Sequence, residues 1–113
     1  MESFDVIVAG LGAMGSAAAD HLARRGARVL GIDPWQPPHD AGSSGGETRL
    51  IRKAYFEHPD YVPLLARAYD NWADLEAETG DRVLYRTGTV YVGDPAGELI
   101  RGSRLAADTH GLP

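Results

Sequence analysis

The run Gly10-Leu11-Gly12-Ala13-Met14-Gly15 leaves this chain the fewest ways to fold, because a G-x-G-x-x-G pattern has physical meaning where a buried strand turns into a helix. Both flanks have the required character. Residues 4–9 (Phe-Asp-Val-Ile-Val-Ala) are short, β-branched and nearly continuously apolar, which predicts a strand buried on both faces of a parallel sheet. Residues 13–25 then change period: Met14, Ala18 and Leu22 fall four apart while Asp20, Arg24 and Arg25 lie on other faces. This predicts an amphipathic helix closed by Gly26. Residues 28–32 (Arg-Val-Leu-Gly-Ile) form a second β-rich run, so the first third of the chain is a strand-helix-strand unit with a right-handed parallel crossover.

The three glycines then have separate tasks. Gly10 permits the sharp turn, Gly12 lets backbone approach a pyrophosphate, and Gly15 lets the helix pack close to the strand. Unpaired N–H groups of the helix's first turn, with the positive end of its dipole, suit phosphates. Asp33 follows the second strand, where an acid accepts hydrogen bonds from both hydroxyls of an adenosine ribose. A carboxylate there repels a 2′-phosphate and argues against NADP, but it does not separate FAD from NAD.

Length and charge exclude several other classes. With 113 residues the chain is one ordinary domain at most, and 11 Lys+Arg against 16 Asp+Glu give a net charge of −5. No basic cluster is present, so nucleic acid is a poor partner. The only early apolar run, residues 6–9, is too short and too close to Glu2 and Asp5 for a secretory signal, and the expectation is a cytoplasmic protein with no membrane association. Cysteine is absent and the four histidines are scattered, so neither disulfides nor a metal site is expected.

Beyond Asp33 the pattern loosens. Residues 34–46 hold Pro34, Pro37, Pro38, Gly42, Ser43, Ser44, Gly45 and Gly46, which predicts an ordered loop of functional length. Residues 47–55 read as a short helical piece, on which Arg49 and Arg52 would share a face. Asp60 can cap a longer helix, with Pro63 in its first turn, an inward stripe of Tyr61, Leu64 or Leu65, Ala68, Trp72 and Leu75, and a stop at Gly80. Residues 83–85 and 89–92 are strand candidates about Thr87-Gly88, or one bulged strand. Asp94-Pro95 opens a last helix, with Leu99, Ile100, Ser103 and Ala106 or Ala107 on one side and Gly111 as its stop.

The run Pro37-Pro38-His39-Asp40-Ala41-Gly42-Ser43-Ser44-Gly45-Gly46-Glu47-Thr48-Arg49-Leu50-Ile51-Arg52, followed by Ala54-Tyr55 and Tyr61-Val62-Pro63-Leu64, resembles the monomeric sarcosine oxidase and N-methyltryptophan oxidase family of FAD-dependent amine oxidases, in the D-amino-acid-oxidase-like superfamily. Its Gly-Ser-x-x-Gly-x-Thr-Arg-x-Ile-Arg core is far more restricted than the glycine fingerprint. The resemblance implies an α/β fold: a Rossmann-like FAD-binding βαβ unit with additional helices and strands, incomplete without the remainder of the enzyme. Residues 1–113 would be the amino-terminal part of the FAD-binding oxidoreductase domain. It also implies oxidation of a secondary or primary amine, often an N-methyl amino acid, with oxygen as acceptor and hydrogen peroxide as product, by an enzyme that is a monomer when complete.

By the same resemblance, FAD would be held by Gly10, Leu11, Gly12, Ala13, Met14, Gly15, Asp33, Pro34, Ser43, Thr48 and Arg49. Arg49 would lie against the flavin ring and Arg52 would pair with the substrate carboxylate, which makes these two the catalytic candidates. Residues 56–59 would form an entrance loop. Ser44 and Gly45 stand where family members often carry a His pair, and the cysteine and lysine that the family uses at the flavin would lie beyond residue 113.

Plainer readings stand beside these. Arginines three apart are commonly solvated or paired with a neighbour such as Glu47. Ser43 and Ser44 suit a turn without further function, and His21, His39, His58 and His110 read as surface or loop residues. Trp72, Tyr61 and Tyr69 read as packing a helix against the sheet. The rival functions are an NAD-dependent or other flavin dehydrogenase with the same opening, and a non-catalytic nucleotide-binding module.

Overall fold

The computed structural model describes residues 2–113 and divides into two units, Met1–Arg49 and Leu50–Pro113. In the first, β1 (Val6–Ala9), α1 (Ala13–Arg24) and β2 (Val29–Ile32) follow one another, and the strands pair in parallel with Val6 opposite Val29 and Ala9 opposite Ile32. The strand-helix-strand expectation holds. Helix α1 closes as its sequence requires: Gly26 takes φ +88°, its N–H donates to the Ala23 carbonyl, and the Ala27 N–H donates to the Leu22 carbonyl.

Burial departs from the expected pattern. Val6 and Val8 are half-buried on the face that α1 covers, whereas Ile7 is 62% exposed and Ile32 51%. A single helix covers a single face of a two-stranded sheet, so β1 is not buried on both sides. Nor does α1 turn Met14 inward. Its half-buried positions are Gly15, Ala19 and Leu22, because the close contact that Gly15 allows sets the rotation of the helix, and Met14 is left 86% exposed.

The second unit contains α2 (Tyr61–Thr79) and α3 (Glu98–His110) joined to long irregular segments. Residues 47–55 form no helix. Two of their carbonyls accept from distant side chains: the Tyr69 hydroxyl on α2 donates to the Ile51 carbonyl and the Tyr91 hydroxyl donates to the Ala54 carbonyl. The Phe56 carbonyl meets α3 at Gly102, where a Cβ would lie 2.0 Å from the oxygen. The irregular stretch 51–56 is thus the hub of this unit, held by two tyrosines and by one glycine contact.

The α2 limits match expectation and its inward face does so in part. Val62 is buried and Leu65, Ala66, Ala68 and Tyr69 are half-buried, so Leu65 and Ala68 of the expected stripe face inward, while Tyr61, Leu64, Trp72 and Leu75 are exposed. Both faces of the helix are apolar, and the face bearing Tyr69 is the one that its hydroxyl ties inward. Asp60 occupies the N-cap position without a side-chain capping bond, having helical φ and ψ, and Gly80 ends the helix at φ +77°.

Residues 83–85 and 89–92 join no sheet. The Val83 and Leu84 N–H groups are both taken by the Glu76 carboxylate at 2.8 Å, which removes the ladder donors a strand would need. Helix α3 starts four residues after Asp94, since the Asp94 side chain accepts from the Ala96 N–H and its carbonyl from the Gly97 N–H, making a turn first. The expected inner side of α3 is found, with Ala106 and Ser103 buried and Leu99, Ile100 and Ala107 half-buried. No helix among the described residues is long and apolar enough to cross a membrane.

Candidate dinucleotide site

The β1-to-α1 turn is built around the three glycines as the sequence demands. Gly10 has φ +91°, its N–H donates to the Ile32 carbonyl at 2.7 Å, and a Cβ on Gly15 would lie 1.8 Å from the Gly10 carbonyl oxygen. Gly12 is the N-cap of α1, and a Cβ there would meet no heavy atom within 4 Å. No side chain caps α1 and no acid lies in its first turn, so the orphan N–H groups and the positive helix end are left to an anion.

That helix end borders a cavity of about 840 Å³. Residues 10–15 form one wall, and Pro38, His39 and residues 42–45 form the other, so the long loop after β2 closes back over the glycine turn. Gly10, Leu11, Gly12, Ala13, Met14, Gly15 and Ser43 all line it, whereas Asp33, Pro34, Thr48 and Arg49 do not.

Asp33 sits behind the turn. One carboxylate oxygen accepts from the Leu11 N–H at 2.6 Å; the other accepts from the Trp35 N–H at 2.9 Å and from His39 Nε2 at 3.0 Å. Only 5% of its side chain is exposed. The Trp35 and Leu11 N–H groups, aided by His39, hold the carboxyl below its ordinary value of 3.8. In this structure Asp33 braces the glycine turn, a task that its place at the end of β2 alone did not reveal.

Arg49 is also turned inward on its own loop. Its guanidinium donates to the carbonyls of Thr48 at 2.8 Å, Ser43 at 3.4 Å and Gly45, and a Cβ on Gly46 would lie 2.9 Å from it. Ser43, Thr48 and Arg49 are therefore brought together, and two of the five guanidinium hydrogens stay free of these bonds. Arg52 belongs to the second unit. It is half-buried, its guanidinium lies 5.4 Å from the centre of the Tyr55 ring, and its buried Nε has no acceptor among the described residues. With no helix over residues 47–55, its spacing from Arg49 does not create a common face.

Comparison with known proteins agrees with this geometry. The sequence profile described as FAD dependent oxidoreductase matches residues 5–113. The chain belongs to that family. It is similar to monomeric sarcosine oxidase of Streptomyces avermitilis, with 50% identity over 111 residues covering 98% of this chain and 29% of the relative. Monomeric sarcosine oxidase of Bacillus sp. (strain NS-129) is 43% identical over 110 residues, covering 96% of this chain and 28% of its own. N-methyl-L-tryptophan oxidase of Yersinia pestis (strain Pestoides F) is 40% identical over 110 residues, 97% of this chain and 30% of its own. The resemblance drawn from residues 37–64 is thus borne out, and FAD is the cofactor of the family. The chain spans about 29% of the length of the first of these relatives.

The residues present fit the cofactor. The turn is open at Gly12 where a pyrophosphate needs room, and acid-free where it needs hydrogen-bond donors. Sequence reasoning missed His39, which lines the cavity and contacts Asp33; the signal was its place in the loop that follows Asp33.

Proposed function

We propose that this chain supplies the dinucleotide-binding part of an enzyme that oxidises a secondary or primary amine, of the sarcosine or N-methyl amino acid type, to an imine with release of hydrogen peroxide from oxygen. Residues 1–113 would form the amino-terminal part of a Rossmann-like FAD-binding domain in a cytoplasmic, monomeric enzyme. The observation that carries this reading is the uncapped, acid-free start of α1 facing the glycine-lined cavity. The similarity to sarcosine and N-methyl-L-tryptophan oxidases supports the amine class.

When bound, FAD accepts a hydride equivalent and passes electrons to oxygen. The chain's own contribution is positional and electrostatic. The N–H groups of Ala13, Met14 and Gly15 would hold the pyrophosphate, with Gly10, Leu11 and Gly12 shaping the approach. Ser43, Thr48 and Pro34 belong to the loop that borders the cofactor in this reading. The guanidinium of Arg49, held by loop carbonyls, would stabilise negative charge on the reduced ring. Arg52, a half-buried guanidinium with an unused Nε–H, would pair with a substrate carboxylate in a two-point contact.

The test uses the full-length protein and a matched pair of amines, with and without a carboxylate. Arg52→Ala should lower kcat/KM at least about tenfold for the amino acid and hardly for the simple amine. Arg52→Lys should fall between, since it keeps charge but loses the planar fork. Equal losses on both amines would overturn the carboxylate role.

A further inference from the structure

The hydrogen bonds around Asp33 fix how much of it a ligand can use. An ionised carboxylate offers about four acceptor positions, two on each oxygen. Both positions on Oδ1 are filled, by the Trp35 N–H at 2.9 Å and His39 Nε2 at 3.0 Å, and one on Oδ2 is filled by the Leu11 N–H at 2.6 Å. One position remains.

Two of the three occupants cannot be given up cheaply. The Trp35 N–H lies two residues along the same turn, and the Leu11 N–H shares a peptide unit with the Gly10 carbonyl that Gly15 packs against. His39 is the replaceable one, since its bond is made by a side chain. Its ring is only 15% exposed, lies with its centre 5.5 Å from that of Trp35, and forms part of the cavity wall. Because a carboxylate only accepts, Nε2 carries the hydrogen in this pair.

We propose that His39 is a specificity-determining positioning residue: by occupying the second acceptor position on Asp33 Oδ1, it leaves the carboxylate able to read one ribose hydroxyl rather than two. This rests on the dinucleotide reading above and corrects the simpler expectation that Asp33 takes both hydroxyls. Its place behind Leu11, outside the cavity lining, agrees with a carboxylate spent mainly on bracing the turn.

The experiment measures binding of ADP, 2′-deoxy-ADP and 3′-deoxy-ADP to the flavin-free full-length protein, in wild type, His39→Phe and His39→Gln. In the wild type, one deoxy analogue should bind about tenfold more weakly than ADP and the other about equally, the loss being that of one charge-assisted hydrogen bond. His39→Phe keeps a ring but removes the donor, so both analogues should then lose about tenfold. His39→Gln restores a donor at the Nε2 position and should return the one-hydroxyl pattern. A purely structural role would weaken all three nucleotides by the same factor. Equal losses on both analogues in the wild type overturn the inference while leaving the dinucleotide reading intact, and this arm needs no variant to fold. An unchanged pattern in His39→Phe also overturns it. Failure of the wild type to bind ADP at all overturns the dinucleotide reading itself.

Discussion

Replacing Gly15 with Ala would place a methyl group 1.8 Å from the Gly10 carbonyl oxygen, 2.9 Å from its carbon and 3.3 Å from Val8 Cγ1. Real Cβ atoms stay at least 3.0 Å from such neighbours, so the carbonyl or the helix must move by about 1.2 Å. The obstacle is backbone, and the Gly10 carbonyl belongs to the same peptide unit as the Leu11 N–H that meets Asp33 at 2.6 Å. Turning that peptide aside therefore also breaks the brace. Overpacking of this kind costs up to about 3 kcal/mol, and about 1 kcal/mol returns because Ala suits a helix interior better than Gly. The net expectation is a loss of about 2 kcal/mol, seen as a lower thermal midpoint by circular dichroism of the full-length protein, together with reduced flavin content after purification. Gly12→Ala is the internal control. Its methyl group meets nothing within 4 Å and its φ of −68° suits Ala, so the thermal midpoint should hold while flavin content falls, because the space it fills is the one the proposed dinucleotide would occupy. A Gly15→Ala protein as stable as wild type, or a Gly12→Ala protein that retains its flavin, would refute this division of labour.

Three further outcomes follow from the same contacts. Asp33 is held below its ordinary 3.8 by the Trp35 and Leu11 N–H groups, so its stabilisation is complete above that pH and is lost as pH falls through the lower folded value; Asp33→Asn should flatten this acid limb in a series of thermal midpoints, and an unaltered limb would remove Asp33 as the brace. Gly102→Ala would set a Cβ 2.0 Å from the Phe56 carbonyl and should destabilise the second unit by about 1–3 kcal/mol, read as faster hydrogen exchange in α3; wild-type exchange would mean that segment 51–56 is not seated on Gly102. Glu76→Ala should expose the Val83 and Leu84 amides to exchange, since one carboxylate oxygen accepts from both, and unchanged protection there would show that other groups hold this stretch.

What the sequence made legible was local and had a backbone cause. Gly26, Gly80 and Gly111 end helices because each adopts positive φ at a helix terminus, and Gly10 opens a turn for the same reason. The strand-helix-strand order followed from changes in apolar period. What stayed hidden depended on partners distant in sequence. Both faces of α2 carry apolar residues, and the one that turns inward bears buried Val62 and Tyr69, whose hydroxyl reaches Ile51 far away in sequence. Residues 47–55 have plausible helical spacing, but the Ile51 and Ala54 carbonyls accept from the distant Tyr69 and Tyr91 hydroxyls and the Thr48 carbonyl accepts from Arg49. Residues 83–84 look like a strand until Glu76 takes their donors. At the site, the glycine turn was readable residue by residue, whereas the bracing role of Asp33 and the presence of His39 required knowing how the loop after β2 folds back.

The proposed function is a flavin-dependent amine oxidation in which this chain holds the dinucleotide, and the absorbance spectrum of the full-length protein under anaerobic titration tests it most directly. The purified protein should show the two visible bands of an oxidised flavin, and sarcosine or another N-methyl amino acid should bleach them, with colour returning and peroxide appearing when air is admitted. A protein that carries no flavin, or one whose flavin no amine reduces, would contradict the account.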